Sequence, residues 1–112
     1  MNYKNITAVI VTFRSEKVIF DCLKSIKNIK KIIVVDNSFD RRLKKKVLLK
    51  YPQVNFILSR ENLGYGAGNN IALKKVKTMY AIILNPDTIL FKGCIVNLLT
   101  LAKNLKNKFS II

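Results

Sequence analysis

Histidine is absent from this chain. That excludes Ser-His-Asp and Cys-His nucleophilic machinery and any histidine-ligated zinc site. Cysteine is limited to Cys22 and Cys94, far apart and without a CxxC pair. Both fall on apolar faces of predicted helices, which implies buried free thiols in a reducing compartment. Acids are scarce, 6 against 21 Lys and Arg, for a net charge of +15. No apolar run approaches the ~20 residues of a membrane span. The polar start is followed by a short apolar stretch that runs into Arg14 and Glu16, which is not a signal-peptide pattern. The expectation is a cytoplasmic chain that meets a membrane only peripherally, at the inner face.

The chain has 112 residues, one domain at most, and 50% of them are hydrophobic. Apolar residues are spread along the whole length, which argues for a packed core and against disorder. The cationic surface suits phosphates, nucleic acids or anionic lipid head groups. It is equally what a composition biased toward lysine, isoleucine and asparagine produces.

Strand and helix signals alternate. Residues 6–13 are apolar and β-branched, as a buried strand requires. Ser15 is placed to cap a helix on which Ile19, Leu23 and Ile26 share a face. Residues 31–35 read as a second buried strand. Asp40 is placed to cap a second helix, with Leu43, Val47 and Tyr51 facing inward and Arg41, Arg42, Lys44, Lys45 and Lys46 elsewhere; Pro52 ends it. Residues 54–58 form a third strand. A glycine-rich turn then leads into a helix containing Ile71, Leu73 and Val76. Residues 79–84 read as a fourth, buried strand and 88–91 as a short extended piece. Gly93 precedes a helix with Ile95, Leu98, Leu99, Ala102 and Leu105 as its stripe. Residues 109–112 look like the opening of another strand, so the expectation is the first half of a larger fold. This alternation predicts a Rossmann-like, three-layer α/β fold: a parallel sheet with helices on both faces.

In such sheets ligands bind beyond the carboxyl ends of the strands, where strand order reverses. Leu84-Asn85-Pro86-Asp87-Thr88 places a carboxylate at such an end, on a turn stiffened by proline. Val34-Val35-Asp36-Asn37-Ser38 places another. Asp36 is suited to accept a hydrogen bond from a base or ribose, and Asp87 to ligate Mg²⁺ or Mn²⁺ when a diphosphate supplies other oxygens. Both also read as turn chemistry: an Asx turn at Asp36 and a Pro-Asp turn at Asp87. The two acids are expected to converge on one crevice, with Thr12 facing Asp87. Gly64, Gly66 and Gly68 match neither a dinucleotide fingerprint nor a Walker loop, because Asn69 takes the third glycine position and no Gly-Lys-Ser/Thr follows. A phosphate-cradling loop near Arg60 and a plain glycine turn both remain open.

Val9-Ile10-Val11-Thr12-Phe13, Val34-Val35-Asp36-Asn37-Ser38, Asn62-x-Gly64-x-Gly66-x-Gly68-Asn69-Asn70 and Leu84-Asn85-Pro86-Asp87 together resemble family 2 glycosyltransferases, in their rhamnosyltransferase-like branch. The resemblance covers nearly the whole chain. It implies the N-terminal half of a GT-A fold, a nucleotide-diphosphate-sugar donor (a UDP- or dTDP-sugar, rhamnose included), a glycan or lipid-linked acceptor and an inverting, metal-dependent transfer. It implies that Thr12, Phe13 and Asp36 hold the nucleoside, that Arg60, Asn62 and Gly64 lie near the donor, and that Asn85 and Asp87 stand where the family has its Asp-x-Asp metal motif.

Arg14 replaces an asparagine often found in the family, and Asn85 replaces the first aspartate. The family's catalytic base and acceptor site come from a second half, so no catalytic residue is assigned in this chain. Two other readings stand beside the enzyme. One is a non-catalytic fragment that only binds nucleotide. The other is a basic nucleic-acid-binding domain, which explains the charge but not the strand-end acids. No nucleic-acid partner is expected, because the chain shows neither a stacking platform nor a recognition helix.

Overall fold

A computed structural model of the chain describes residues 3–60 and 64–104, apart from the side chain of Tyr65. After a 3-10 turn at Tyr3–Asn5, the order is β1 (Ile6–Thr12), α1 (Glu16–Ser25), β2 (Lys31–Asp36), α2 (Arg41–Lys50), β3 (Val54–Leu58), α3 (Gly64–Leu73), β4 (Tyr80–Leu84) and α4 (Cys94–Asn104). The strands are parallel and lie in the order β3-β2-β1-β4. Strand order therefore reverses between β1 and β4, where the sequence placed the crevice.

Side chains alternate between the two sheet faces with a period of two. Ile6, Ala8 and Ile10 join Ile32, Val34, Val54 and Phe56 on one face. Helices α1, α2 and α4 cover it through Ile19, Leu23, Leu43, Val47, Ile95 and Leu99. Val9, Val11, Ile33 and Val35 turn the other way and pack against α3 through Ile71 and Ala72. The result is the expected three-layer Rossmann-like α/β arrangement, with an unequal share of helices on its faces.

Several local expectations change. The glycine run is not a turn ahead of a helix: it is the first half of α3, beginning at Gly64 with φ 83°. That phase buries Ala72 and leaves Leu73 38% exposed. Strand β4 is an edge of the described sheet rather than a buried strand, so Ala81 and Ile83 are exposed while Leu84 is buried. Residues 88–91 form no strand. Cys22 is buried but Cys94 only half-buried. Asp40 caps α2 as expected, accepting from the Leu43 N–H at 3.0 Å. Ser15 sits at the N-cap of α1 but does not cap it: its hydroxyl turns back to the Phe13 carbonyl. Leu105, Asn62 and the expected strand at 109–112 lie outside the described residues.

Gly68 has a packing reason to be glycine. A Cβ there would sit 2.7 Å and 3.1 Å from the two methyls of Val11, and 3.3 Å from Asn37 Nδ2. Val11 is β-branched and held in a central strand, so it has little freedom to yield. Helix α3 comes this close to the sheet because the side chain is missing. Gly66, in the same helix, faces open space. Gly68→Ala should therefore destabilise the protein by about 1–3 kcal/mol through overpacking. Gly66→Ala should instead stabilise it by up to about 1 kcal/mol, because alanine is the better helix former. Urea unfolding of the two variants checks both signs.

Candidate active site at the carboxyl edge of the sheet

In the β1–β2 register Thr12 stands opposite Asp36, and in the β1–β4 register Ile10 stands opposite Leu84. The segments that follow β2 and β4 therefore leave the same edge of the sheet. They flank β1 and are about 10 Å apart at the usual strand spacing.

The two acids have different surroundings. Asp36 is 0% exposed. Its Oδ1 accepts from the Ser38 N–H at 3.0 Å and from the Ser38 hydroxyl, and its Oδ2 accepts from the Asp40 N–H at 2.7 Å. This is the Asx-turn geometry that the sequence left as an alternative, extended to Asp40. The carboxylate shapes the loop and positions the cap of α2. Both Asp36 oxygens are engaged by the loop that the residue holds.

Asp87 is exposed, and no described residue hydrogen-bonds or ion-pairs its carboxylate. Asn85, also exposed, begins a turn closed by the Thr88 N–H on the Asn85 carbonyl at 3.0 Å. The same carbonyl receives the Cys22 thiol at 3.8 Å, which pins the turn to α1. Burial, and then the nearby Asp87 charge, pushes the Cys22 thiol up from 9.0 to about 11.

No group of three or more His, Cys, Asp or Glu converges among the described residues. One free carboxylate beside an amide is a hard oxygen set. It fits Mg²⁺ or Mn²⁺ shared with a diphosphate and fits poorly a metal held by protein alone.

The remaining expected residues that the structure describes, Thr12, Phe13, Arg60 and Gly64, lie at this edge. Thr12 is 1% exposed and its hydroxyl has no partner. The Thr12 carbonyl accepts from the Asn37 N–H at 2.8 Å. Phe13 is 44% exposed. The Gly64 carbonyl accepts from Asn37 Nδ2 at 3.1 Å, joining the start of α3 to the end of β2. Asn37 Oδ1 and Asn69 Oδ1 are also buried without partners.

Sequence reasoning passed over an arginine–phenylalanine cluster. The Arg14 guanidinium lies over the Phe13 ring at 5.1 Å, and those of Arg41 and Arg60 lie over the Phe39 ring at 5.4 and 5.2 Å. Arg14 and Phe39 both have φ of 52°, a left-handed backbone unusual for such side chains. The loops are tied by the Arg14 N–H on the Ser38 hydroxyl at 3.2 Å. A signal was available: Arg14, Arg41, Arg42 and Arg60 are all the arginines of the chain, and all follow β1, β2 or β3. Every other cation is lysine.

Comparison with known proteins gives the family of the chain. The model of the family "Glycosyl transferase family 2" matches residues 7–111, so the chain belongs to that family. It is 28% identical over 112 residues to a low-salt glycan biosynthesis hexosyltransferase of Haloferax volcanii, covering 96% of this chain and 35% of that protein. It is 33% identical over 90 residues to a teichoic acid poly(glycerol phosphate) polymerase of Staphylococcus epidermidis, covering 73% of this chain and 12% of that protein. The chain thus spans about a third or less of the curated relatives it matches. Among solved structures, TarS 1-349 of S. aureus gives a TM-score of 0.74 at 16% identity, over 96% of this chain and 38% of that one. The mannosyltransferase PcManGT of Pyrobaculum calidifontis, in complex with GDP-Man and Mn²⁺, gives 0.76 at 16% identity, over 85% and 31%. These likenesses establish the N-terminal half of a GT-A fold.

The two acids should separate in stability measurements. Asp36→Ala should cost about 1–3 kcal/mol, since it leaves the half-buried Ser38 and Asp40 N–H groups without their acceptor. Asp87→Ala should stay within about 0.5 kcal/mol of the parent. Thiol chemistry gives a further check. Cys94 should be alkylated first in the native protein at neutral pH, and Cys22 only on unfolding. Because folding raises the Cys22 pKa, its contribution to stability is present below pH 9 and is lost as pH rises toward about 11. Thermal melts of the parent and of Cys22→Ala across that window measure it.

Proposed function

We propose that this chain is the donor-binding part of a glycosyltransferase that moves a sugar from a nucleotide diphosphate to a glycan or lipid-linked acceptor. The observation that carries the reading is Asp87: an exposed, unpartnered carboxylate on a pinned turn, at the strand-order reversal of a family 2 chain. The names of the relatives, one a hexosyltransferase and one a poly(glycerol phosphate) polymerase, support products of the cell-surface polymer class. The neighbour solved with GDP-Man and Mn²⁺ supports a nucleotide-sugar donor and a divalent metal. A UDP- or dTDP-sugar, rhamnose included, is the donor that the sequence motifs suggest.

In this reading Phe13 and Phe39 offer ring faces to the nucleoside, and the guanidiniums around them offer N–H donors. The unpartnered Thr12, Asn37 and Asn69 oxygens line the buried floor. Asn85 and Asp87 hold the diphosphate end. A divalent cation bound there supplies positive charge against the departing nucleotide diphosphate. The acceptor oxygen forms a bond to the anomeric carbon as the bond to the diphosphate breaks, with inversion, and its proton passes to a general base. The other described acids are engaged elsewhere or lie away from the donor edge. Glu16 pairs with Lys46 at 3.2 Å, Asp40 caps α2 and Asp21 is exposed on α1. The base is assigned, as the family resemblance implies, to the second half of the fold. On the outer side of α2, Arg42, Lys45, Lys46 and the 78%-exposed Leu49 suit an anionic membrane at the cytoplasmic face.

Calorimetry with UDP, dTDP and GDP, with and without Mn²⁺, tests the reading. Binding should be tighter with Mn²⁺, and Asp87→Ala should remove that gain. Phe39→Ala and Arg60→Ala should weaken binding about tenfold each whether or not Mn²⁺ is present, as lost stacking and cation–π contacts predict. Failure of every nucleotide to bind would leave only a folded remnant.

A further inference from the structure

A second concave region lies at the opposite edge of the sheet. It is a notch of about 210 Å³ whose walls include Thr7, Lys30, Lys31, Asn55, Lys75 and Lys77. Thr7 stands opposite Lys31, and Asn55 opposite Ile33 two residues further along β2, all at or near the strand starts. Thr7, Ile33 and Asn55 fall on the face that α3 covers, and α3 ends at Leu73, short of them. The chain after α3 brings Lys75 and Lys77 over the gap, while Lys30, just before β2, and Lys31, its first residue, stand on the other side. Along β1, Thr7 is about 16 Å from Thr12 and the donor edge.

Lys30, Lys31, Lys75 and Lys77 are all exposed, and no acid among the described residues lines the notch. Like charges gathered in a concavity repel one another and concentrate positive potential there. Lys75 follows the C-terminal end of α3, where a cation is favourable in its own right. That local effect does not reach Lys30 and Lys31, which arrive from a different connection. The space holds about seven waters at their liquid volume, enough for a phosphate or diphosphate group.

We propose that this lysine-lined notch is an anion site for a phosphate group, separate from the donor site and independent of divalent metal. Phosphate of this kind is carried by a soluble phosphate ester or by a lipid head group. The proposal does not rest on the donor reading, because no residue is shared between the two edges.

The test titrates inorganic pyrophosphate into the intact chain in EDTA, beside co-sedimentation with vesicles containing phosphatidylglycerol. Lys75→Gln/Lys77→Gln is compared with Lys17→Gln/Lys24→Gln, a pair of exposed α1 lysines that removes the same charge elsewhere. Saturable pyrophosphate binding that weakens about tenfold or more in the notch variant, but not in the α1 variant, supports a soluble ester. Vesicle binding with the same selectivity, without saturable pyrophosphate binding, supports a lipid head group. Equal loss in both variants, or no saturable binding of either probe, overturns the proposal and leaves bulk charge. Pyrophosphate binding that requires Mn²⁺ and disappears in Asp87→Ala also overturns it, since the anion then sits at the donor edge.

Discussion

The buried carboxylate of Asp36 organises the working edge of this protein. A charge taken out of water is tolerable only when hydrogen bonds replace its hydration, and the Ser38 and Asp40 groups supply them. From that point the constraints spread. Asp40 is held where it caps α2. The Asp36 carbonyl accepts from the Ser59 N–H at 2.9 Å, which ties the exit of β3 to the exit of β2. Asn37 links to β1 on one side and to the start of α3 on the other. Four chain segments are thereby fixed relative to one another around one short loop, while Asp87 is left unencumbered across β1.

Much of this was legible in the sequence. Strand positions followed from β-branched apolar runs, and the crevice expected between Thr12 and Asp87 falls where the observed strand order reverses. The Asp40 cap was readable because Asp precedes an amphipathic stretch by the right interval. Ser15 looked the same and differs for a local reason: the adjacent left-handed Arg14 turns the chain so that the serine hydroxyl meets Phe13 instead of the helix. Glycine content misled the assignment of α3. Propensity disfavours glycine in a helix, yet close contact with Val11 requires it at Gly68, and tertiary packing outweighs propensity. The burial of β4 was overread because apolar content alone does not say whether a strand is central or at an edge.

The distribution of cation types carries information that net charge hides. A biased composition would scatter arginine as it scatters lysine. Instead the arginines lie beside the exits of β1, β2 and β3, three of them over phenylalanine rings. A guanidinium is planar, stacks on aromatics and presents paired donors, which an ammonium does not. The opposite edge is served by lysine alone. The two ends of the sheet are thus chemically distinct although both are positive.

The backbone at Arg14 carries a cost of its own. Its φ of 52° lies where asparagine sits with little penalty and where a longer side chain costs about 1–2 kcal/mol. Selection for thermodynamic robustness alone would settle such a position on a small amide or on glycine. An amide or glycine at this position would relieve the strain and give a hardier scaffold, and it would also remove the guanidinium from the Phe13 ring.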